Sequence, residues 1–198
     1  MARITGANGA RTAAAIRCAA LRLIYRQGFA AMNLRDLAAE VGIQPSSLYN
    51  HIASKQALLS DLMQEHMAAL LAATDVALEA AGPGLVDRLR AFIGHHVLYH
   101  MEKRQEVYIA NFELRALDAT NYARIVAMRA DYEARFMALL EEGAGSGELD
   151  IADIPVTAFA LLAMLTGICT WYRPGGRLNK AELVTLHTEL ALNGLRRR

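Results

Sequence analysis

The apolar and polar positions of this chain follow the period of an α-helix, most clearly between residues 33 and 52. The apolar positions of the first segment fall at i, i+3, i+4 and i+7: Leu34, Leu37, Ala38 and Val41. Asn33 precedes them as an N-cap, and Asp36 follows three residues later, where its carboxylate can reach back. Gly42 ends this helix because glycine adopts the left-handed conformation without strain, and Pro45 suits the first turn of another. The pattern predicts two short helices joined by a tight turn.

The second of these helices has a polar outer surface. Within residues 44–52 only Leu48 and Ile52, four residues apart, form an apolar anchor. Two short helices around a Gly-containing turn are typical of the helix-turn-helix, whose second helix enters the DNA major groove. A pair of ordinary core helices is the alternative. The uncharged polar surface favours DNA, because such side chains hydrogen-bond to phosphates and base edges.

The same periodicity predicts an all-α protein of about nine helices. Residues 1–11 are predicted to be a flexible basic arm, and residues 143–150, GAGSGELD, a linker. The remaining predicted helices cover about 12–27, 55–82, 85–101, 103–116, 120–143, 153–172 and 179–195. We interpret residues 1–55 as a three-helix DNA-binding domain and residues 56–198 as a helical ligand-binding and dimerisation domain.

Charge is distributed unevenly along the chain, although the net charge is only +1. Residues 1–55 carry seven Lys or Arg against two acids, a net charge of +5. The other residues carry 14 bases and 18 acids, a net charge of −4. A basic head on an acidic body fits a DNA-binding module attached to a part that avoids DNA.

Several other classes of protein are disfavoured by the sequence. It has no nucleophile elbow, phosphate-cradling glycine loop or pair of catalytic carboxylates, so we do not expect an enzyme. Cys18 and Cys169 lie in apolar helical patterns and are expected to be reduced core thiols. His96 and His100 could share a metal, but no third ligand has matching spacing, so no metal or cofactor is predicted. We find no signal peptide and no long membrane span, and expect a cytoplasmic protein.

The predicted helix at 153–172 is apolar on nearly every side. Such a helix needs more cover than its neighbours in one copy of this chain supply. We therefore expect it to pair with the last helix in a four-helix interface across a twofold axis, giving a homodimer. A central core helix is the alternative.

Residues 19–63 closely resemble the TetR family of transcriptional regulators. The matching features are Gly28-Phe29, the sequence LYNHI at 48–52 and the pair Ser54-Lys55. Asn33 stands where the family usually has Thr or Ser, and Ile52 where it usually has Phe. Residues 112–136 and 170–186 resemble a narrower branch that responds to acyl-CoA thioesters in fatty-acid and sterol breakdown. The resemblance implies a repressor that binds a palindromic operator and is released by a small hydrophobic effector.

The candidate DNA-binding residues cluster in the helix-turn-helix. They are Asn33, Gln44, Pro45, Ser46, Ser47, Tyr49, Asn50, His51 and Lys55. Gln44, Ser46 and Ser47 are placed to reach base edges. The resemblance implies that Asn33, Tyr49, His51 and Lys55 contact phosphates. Tyr49 packing against the first helix and Lys55 as a solvated cap are the alternatives; Arg3 and Arg11 either reach DNA or belong to a disordered tail.

An effector pocket is expected between helices four and eight. Its candidate residues are Phe92, His96, Tyr99, Phe112, Arg115, Arg129, Tyr132, Phe136, Met164 and Trp171. The arginines, with Arg173, could bind the phosphates of a CoA-like ligand; surface ion pairs are the alternative. The aromatic residues could instead be plain core. An acyl-CoA is the expected effector, with an aromatic compound or drug that controls efflux, or no ligand at all, as alternatives.

Overall fold

The computed structural model describes the backbone of residues 4–195 and the side chains of residues 9–195, so Arg3 lies outside the described residues. The described chain is all-α, as predicted. Its helices are α1 (Ile4–Ala31), α2 (Leu34–Val41), α3 (Pro45–Leu48), α4 (Lys55–Glu79), α5 (Leu85–Glu102), α6 (Arg104–Phe112), a 3₁₀ helix η1 (Leu114–Ala116), α7 (Ala119–Ser146), α8 (Ile154–Thr166), α9 (Ile168–Trp171) and α10 (Lys180–Leu195).

The chain divides into two compact units. The first contains the residues up to His66 together with Gln105–Ile125, and the second contains Met67–Arg104 together with the residues from Val126 onward. The first unit therefore includes more than the predicted 1–55 domain, because the first turns of α4, all but the first residue of α6, η1 and the start of α7 belong to it.

The N-terminal helix differs from its prediction. It begins at Ile4 rather than at Thr12, so residues 4–11 are helical and not an extended arm. The predicted end at Gly28 is confirmed as a kink, since Gly28 has φ 80° and ψ 157°. Cys18 lies on the exposed side of α1, so its assignment as a core thiol was wrong, whereas Cys169 is buried.

The first unit is built around the apolar faces of α1, α2 and α3. Leu37 and Leu48 are fully buried, as are Ile16 and Leu23 of α1. Gly42 takes the left-handed conformation predicted for it, with φ 74°. α3 is a single turn, and the chain after Leu48 continues as tight turns up to Ile52, which is also buried.

The second unit has its core between α5, α7, α8 and α10. Phe92 and Phe136 stack with ring centroids 4.7 Å apart, and both are fully buried. The predicted linker at 143–150 is instead a packed corner: α7 runs to Ser146 and Leu149 is buried. Gly143 permits this, because a side chain there would collide with Leu149 and Leu85. The predicted helix at 153–172 is two segments, α8 and α9, joined at Gly167.

Candidate functional site: a DNA-binding surface and a basic pocket

The side chains of Asn33 and Asp36 cap the start of α2 and hydrogen-bond to each other. The backbone N–H of Asp36 donates to Asn33 Oδ1 at 2.8 Å, and Asn33 Nδ2 donates to Asp36 Oδ2 at 2.6 Å. This satisfies one of the free N–H groups that every helix start leaves unpaired. The cap fixes the angle at which α2 leaves the turn, and it occupies both polar atoms of the Asn33 amide.

The predicted base-reading residues lie together at the start of α3. Gln44, Pro45 and Ser46 are exposed, and Ser47 is half-buried. The Gln44 side chain makes no capping hydrogen bond to α3. These polar groups stand on a helix that Leu48 anchors to the core, which is the arrangement that direct base readout requires.

The residues after α3 extend this polar surface. Tyr49 is 62% exposed, which argues against packing between Tyr49 and α1. Asn50 is exposed and His51 is half-buried. Together with Gln44, Ser46 and Ser47 they form a mostly polar surface around the buried anchor Leu48, and we call residues 44–51 the reading segment.

Lys55 is held by the protein itself. Its Nζ donates to the carbonyl oxygen of Ala30 at 3.2 Å and lies 4.4 Å from the centroid of the Phe29 ring. The ammonium group therefore ties the start of α4 to the end of α1 through a hydrogen bond and a cation–π contact. An ammonium carries three donors, so this tether leaves capacity for a phosphate.

Ion pairs neutralise part of the basic head. Arg17 pairs with Glu65 and Arg22 with Glu40, at 2.5 and 2.9 Å. The exposed arginines without a partner among the described residues are Arg11, Arg26 and Arg35. The positive field available to DNA thus comes from fewer side chains than the count of +5 indicated.

A buried polar cluster lies in the second unit. His96 is 1% exposed, and its Nδ1 and Nε2 lie 2.7 Å from the Tyr132 hydroxyl and 3.1 Å from Thr166 Oγ1. The His100 ring stacks on His96, with centroids 3.7 Å apart, and His100 Nδ1 donates to the His96 carbonyl oxygen. Burial, reinforced by His100 and His95, holds the pKa of His96 well below its ordinary value. His96 is therefore neutral, and both of its nitrogens are used.

The structure brings some of the predicted effector residues together and separates others. Phe92, His96, Tyr132 and Phe136 pack against one another and form core in this conformation. Tyr99 and Arg129 are half-buried in the same unit, whereas Met164 and Trp171 are exposed there. Phe112 and Arg115 belong to the first unit. Among the described residues, no set of three His, Cys, Asp or Glu could hold a metal ion.

A cavity of about 280 Å³ lies between the end of α9 and the start of α10. It is lined by Trp171, Tyr172, Arg173, Gly176, Arg177, Leu178 and Leu183. Gly175, with φ 76°, makes the tight turn that places Arg173 and Arg177 on one loop. Both arginines are exposed, with no partner among the described residues. We refer to this cavity as the basic pocket.

Sequence reasoning found only part of the basic pocket. Trp171 and Arg173 were candidates, but Tyr172 and Arg177 were missed, and the pocket was expected deeper among helices four to eight. The available signal was RPGGR at 173–177, in which a turn separates two arginines. Trp171 stacks on His187 of α10, with ring centroids 5.9 Å apart, which holds the indole at the pocket wall.

One stretch of the described chain is long and apolar enough to cross a membrane by length and composition. It covers Ile154–Trp171, and 28% of it is buried. Core helices of soluble proteins pass the same test. The exposed apolar side chains of this stretch are expected to be covered by a partner surface. Their exposure alone does not identify that partner.

Two family models match the chain. One, described as bacterial regulatory proteins, tetR family, matches residues 16–62. The other, described as tetracyclin repressor-like, C-terminal domain, matches residues 82–195. The first coincides with the helix-turn-helix, and the second contains both the buried polar cluster and the basic pocket.

Individual relatives agree with these models. The HTH-type transcriptional repressor KstR2 of Rhodococcus jostii (strain RHA1) is 26% identical over 181 residues, covering 89% of this chain and 87% of that protein. The structure of AibR in complex with isovaleryl coenzyme A and operator DNA is similar with a TM-score of 0.82 and 26% identity, covering 90% of this chain and 97% of that one. PfmR from Thermus thermophilus has a TM-score of 0.81 and 28% identity, covering 92% of this chain and 99% of that one.

Proposed function

Because the chain belongs to the TetR family of bacterial regulatory proteins, we propose that it is a repressor released from operator DNA by an acyl-CoA thioester. It is a DNA-binding transcriptional regulator and not an enzyme. We also propose that the chain is cytoplasmic and assembles as a dimer. Residues 1–55 would bind the operator, and residues 56–198 would bind the effector and form the dimer.

The reading segment is the proposed operator contact. Its polar groups at 44–47 would meet base edges, while Tyr49, His51 and Lys55 would meet phosphates. The Asn33–Asp36 cap stabilises the start of α2, whose N-terminal N–H groups would be available to a phosphate of the duplex.

The basic pocket is the observation that carries the choice of effector. An acyl-CoA presents an adenine ring and several phosphates. Trp171 and Tyr172 offer aromatic surface, and Arg173 and Arg177 offer forked donors to phosphate. The seven described lining residues include no carboxylate, which disfavours a cationic drug. AibR, solved with isovaleryl coenzyme A, supports a thioester of this class as the ligand.

A homodimer is proposed from the exposed apolar face of α8 and α10. Val156 and Phe159 of α8 and Leu186 and Leu190 of α10 are between 51% and 64% exposed. Within each helix these residues lie three or four positions apart and share one face, and an exposed apolar face favours an interface. Two copies packed through these helices would present two reading segments to a palindromic operator.

The effector is tested by calorimetric titration of the full chain with isovaleryl-CoA, a longer-chain acyl-CoA and free CoA. Arg173→Ala and Arg177→Ala should each weaken acyl-CoA binding roughly tenfold, because each removes a charge-assisted contact to phosphate. Arg26→Ala is the matched control, since it removes an exposed arginine of α1. A gel shift on an operator selected from random duplexes should show release by acyl-CoA.

Two results would contradict this proposal. One is the absence of binding and of DNA release with every acyl-CoA tested. The other is release by uncharged aromatic compounds that is indifferent to both arginine substitutions, which would favour a sensor of aromatic compounds or drugs.

A further inference from the structure

Two segments that lie apart in the sequence meet at the Lys55 side chain. The Nζ atom of Lys55 donates to the carbonyl oxygen of Ala30, 25 positions earlier, at 3.2 Å. The same atom lies 4.4 Å from the centroid of the Phe29 ring. All three residues belong to the first compact unit. The end of α1 therefore fixes where the cation at the start of α4 stands.

The end of α1 takes its shape from Gly28. This residue has φ 80° and ψ 157°, a backbone conformation that is open almost only to glycine. The helix bends there, and Phe29 and Ala30 follow in its last turn. The last carbonyl groups of a helix have no partner within it, so the Ala30 oxygen can accept from Lys55. Phe29 is only 6% exposed, so packing holds its ring in place beside the ammonium group.

Lys55 stands at a position that a helix by itself disfavours for a cation. It is the first residue of α4, and Ser54 caps that helix by accepting the Ala57 N–H at 2.9 Å. The N-terminus of a helix carries partial positive charge, which repels an ammonium group. The C-terminus of α1 carries partial negative charge, and the face of the Phe29 ring is also negative. Contacts with these two groups offset the repulsion at the start of α4.

The groups that hold Lys55 leave its charge uncompensated. A carbonyl oxygen and an aromatic ring are neutral, and no carboxylate among the described residues pairs with Lys55. Arg17 and Arg22 of the same unit are instead held by carboxylates, those of Glu65 and Glu40, which neutralise them. Lys55 therefore combines a fixed position with a full positive charge, as a group that binds a phosphate requires.

A lysine that is already held in place binds a phosphate at lower entropic cost than a free one. The lysine side chain is long and flexible, and a phosphate that captures a free lysine must restrict its rotamers. Here the contacts with Phe29 and Ala30 restrict them before DNA binds. The Ala30 oxygen uses only one N–H of the ammonium group, so others remain for a phosphate oxygen. The backbone N–H groups at the start of α4 would attract the same phosphate.

We infer that Phe29 is a positioning residue for DNA binding: its ring, together with the Ala30 carbonyl group, holds the Lys55 ammonium in place for a phosphate of the duplex. Phe29 is buried and would not touch the DNA itself. Its effect should be on affinity for every sequence rather than on base preference, because phosphates are common to all sequences. The inference rests on the proposed phosphate contact of Lys55, and it does not depend on the effector.

The test is a double-mutant cycle on the full chain: Phe29→Leu, Lys55→Met and both together. Operator Kd is measured by fluorescence anisotropy at several salt concentrations, on a duplex selected with the wild-type protein. Lys55→Met should lower the salt slope by about one. Phe29→Leu should weaken binding roughly two- to fivefold at the wild-type slope, and should have no further effect in the Lys55→Met background. Damage to the fold of the first unit would instead weaken binding in both backgrounds.

A second series changes the charge distribution of the ring while keeping its shape. Phe29 is replaced site-specifically by mono-, di- and trifluorinated phenylalanine, because fluorine weakens the attraction between a ring face and a cation. Operator Kd should rise stepwise along this series and stay level along it in the Lys55→Met background. Tyr122→Leu is the matched control: it removes an exposed ring from the same unit and should leave Kd unchanged.

The outcomes separate this inference from the proposed phosphate contact. A wild-type salt slope in Lys55→Met would remove the contact and the inference with it. A lowered slope in that variant, with Kd level across the fluorinated series, would remove the inference alone. Tighter binding by Phe29→Leu would also overturn it, because the ring would then withhold Lys55 from DNA. Should Phe29→Leu fail to fold, the fluorinated series keeps the ring and gives the same decision.

Discussion

The two compact units of this protein distribute polar and apolar side chains in opposite ways. In the first unit the reading segment exposes uncharged polar groups, and Leu48 beneath it is fully buried. In the second unit the polar groups of His96, Tyr132 and Thr166 face inward, while Leu186 and Leu190 face outward. A surface made for a polar partner and a surface made for an apolar one are therefore carried by different parts of one chain.

This contrast has a physical consequence for what each unit tolerates. Exposed polar residues can be exchanged with little effect on folding, so substitutions in the reading segment are expected to leave the fold intact. Buried polar residues must keep their hydrogen-bond partners. The buried polar cluster around His96 is therefore compatible with only one arrangement of the helices that carry it. The exposed apolar face of α8 and α10 is an intermediate case. Its exposure to water costs free energy, and that cost is removed only when a partner covers the face.

The largest expected effect comes from a charge on the apolar face. Leu190→Glu replaces a residue that is 61% exposed, so each protomer should still fold. Loss of the proposed dimer should weaken operator binding by roughly 10²–10⁴-fold, because two linked half-site contacts become single ones. Sedimentation velocity and anisotropy on the selected duplex measure both quantities. A dimer that persists with full affinity would show that α10 does not form the interface.

The next effect concerns the buried cluster. His96→Leu removes the histidine partner of the Tyr132 hydroxyl and leaves that buried hydroxyl with Thr74, and the loss of one such hydrogen bond costs roughly 0.5–1.5 kcal/mol of unfolding free energy. Urea unfolding at neutral pH measures this loss. The matched control is His51→Leu, which lies in the first unit and should change the unfolding free energy by less than about 0.5 kcal/mol.

The same variant should also alter the dependence of stability on pH. Burial holds the pKa of His96 well below 6.5. Below pH 6.5 the His96 imidazole therefore binds a proton in the unfolded chain but not in the folded chain. The contribution of His96 to stability is therefore complete above pH 6.5 and is lost as the pH falls below that value. The difference between wild type and His96→Leu should shrink on acidification. A difference that stays constant from neutral to acidic pH would mean that His96 is not kept neutral by burial.

The smallest effect is expected in the reading segment. Ser47→Ala should change base preference at one operator position by about 1 kcal/mol, because it removes a single hydrogen-bonding group. Lys55→Ala is the contrast: it should weaken binding to all sequences and lower the salt slope by about one. Binding to a library of operator variants, measured at several salt concentrations, separates the two. A uniform loss in Ser47→Ala would remove its role in base readout.

Local sequence was sufficient for the elements whose cause is local. Asn33 and Gly42 each act within a few residues, and both form the caps that the pattern predicts. Apolar spacing also identified Leu37 and Leu48 as buried. The class of the fold and the helix-turn-helix follow from these features, because helix periodicity and capping are short-range properties.

Features that depend on distant residues were not predictable in this way. Residues 143–150 have the composition of a linker, yet Leu149 packs against Gly143 beside Leu85, which is far away in the sequence. Lys55 reads as a free surface cation, but Ala30 and Phe29 hold it. Arg177 was missed because its place in the pocket depends on the turn at Gly175, which puts it on the same loop as Arg173.

The sequence by itself determined an all-helical chain with a polar reading segment on a capped helix pair, because each of those features depends on neighbours within about one helical turn. Only the tertiary structure decided that Gln105–Ile125 packs with that pair, that His96 finds both its partners in the core, and that two arginines meet an indole at one pocket. These depend on which helices pack together, and packing is settled by burial summed over the whole chain rather than by any local pattern.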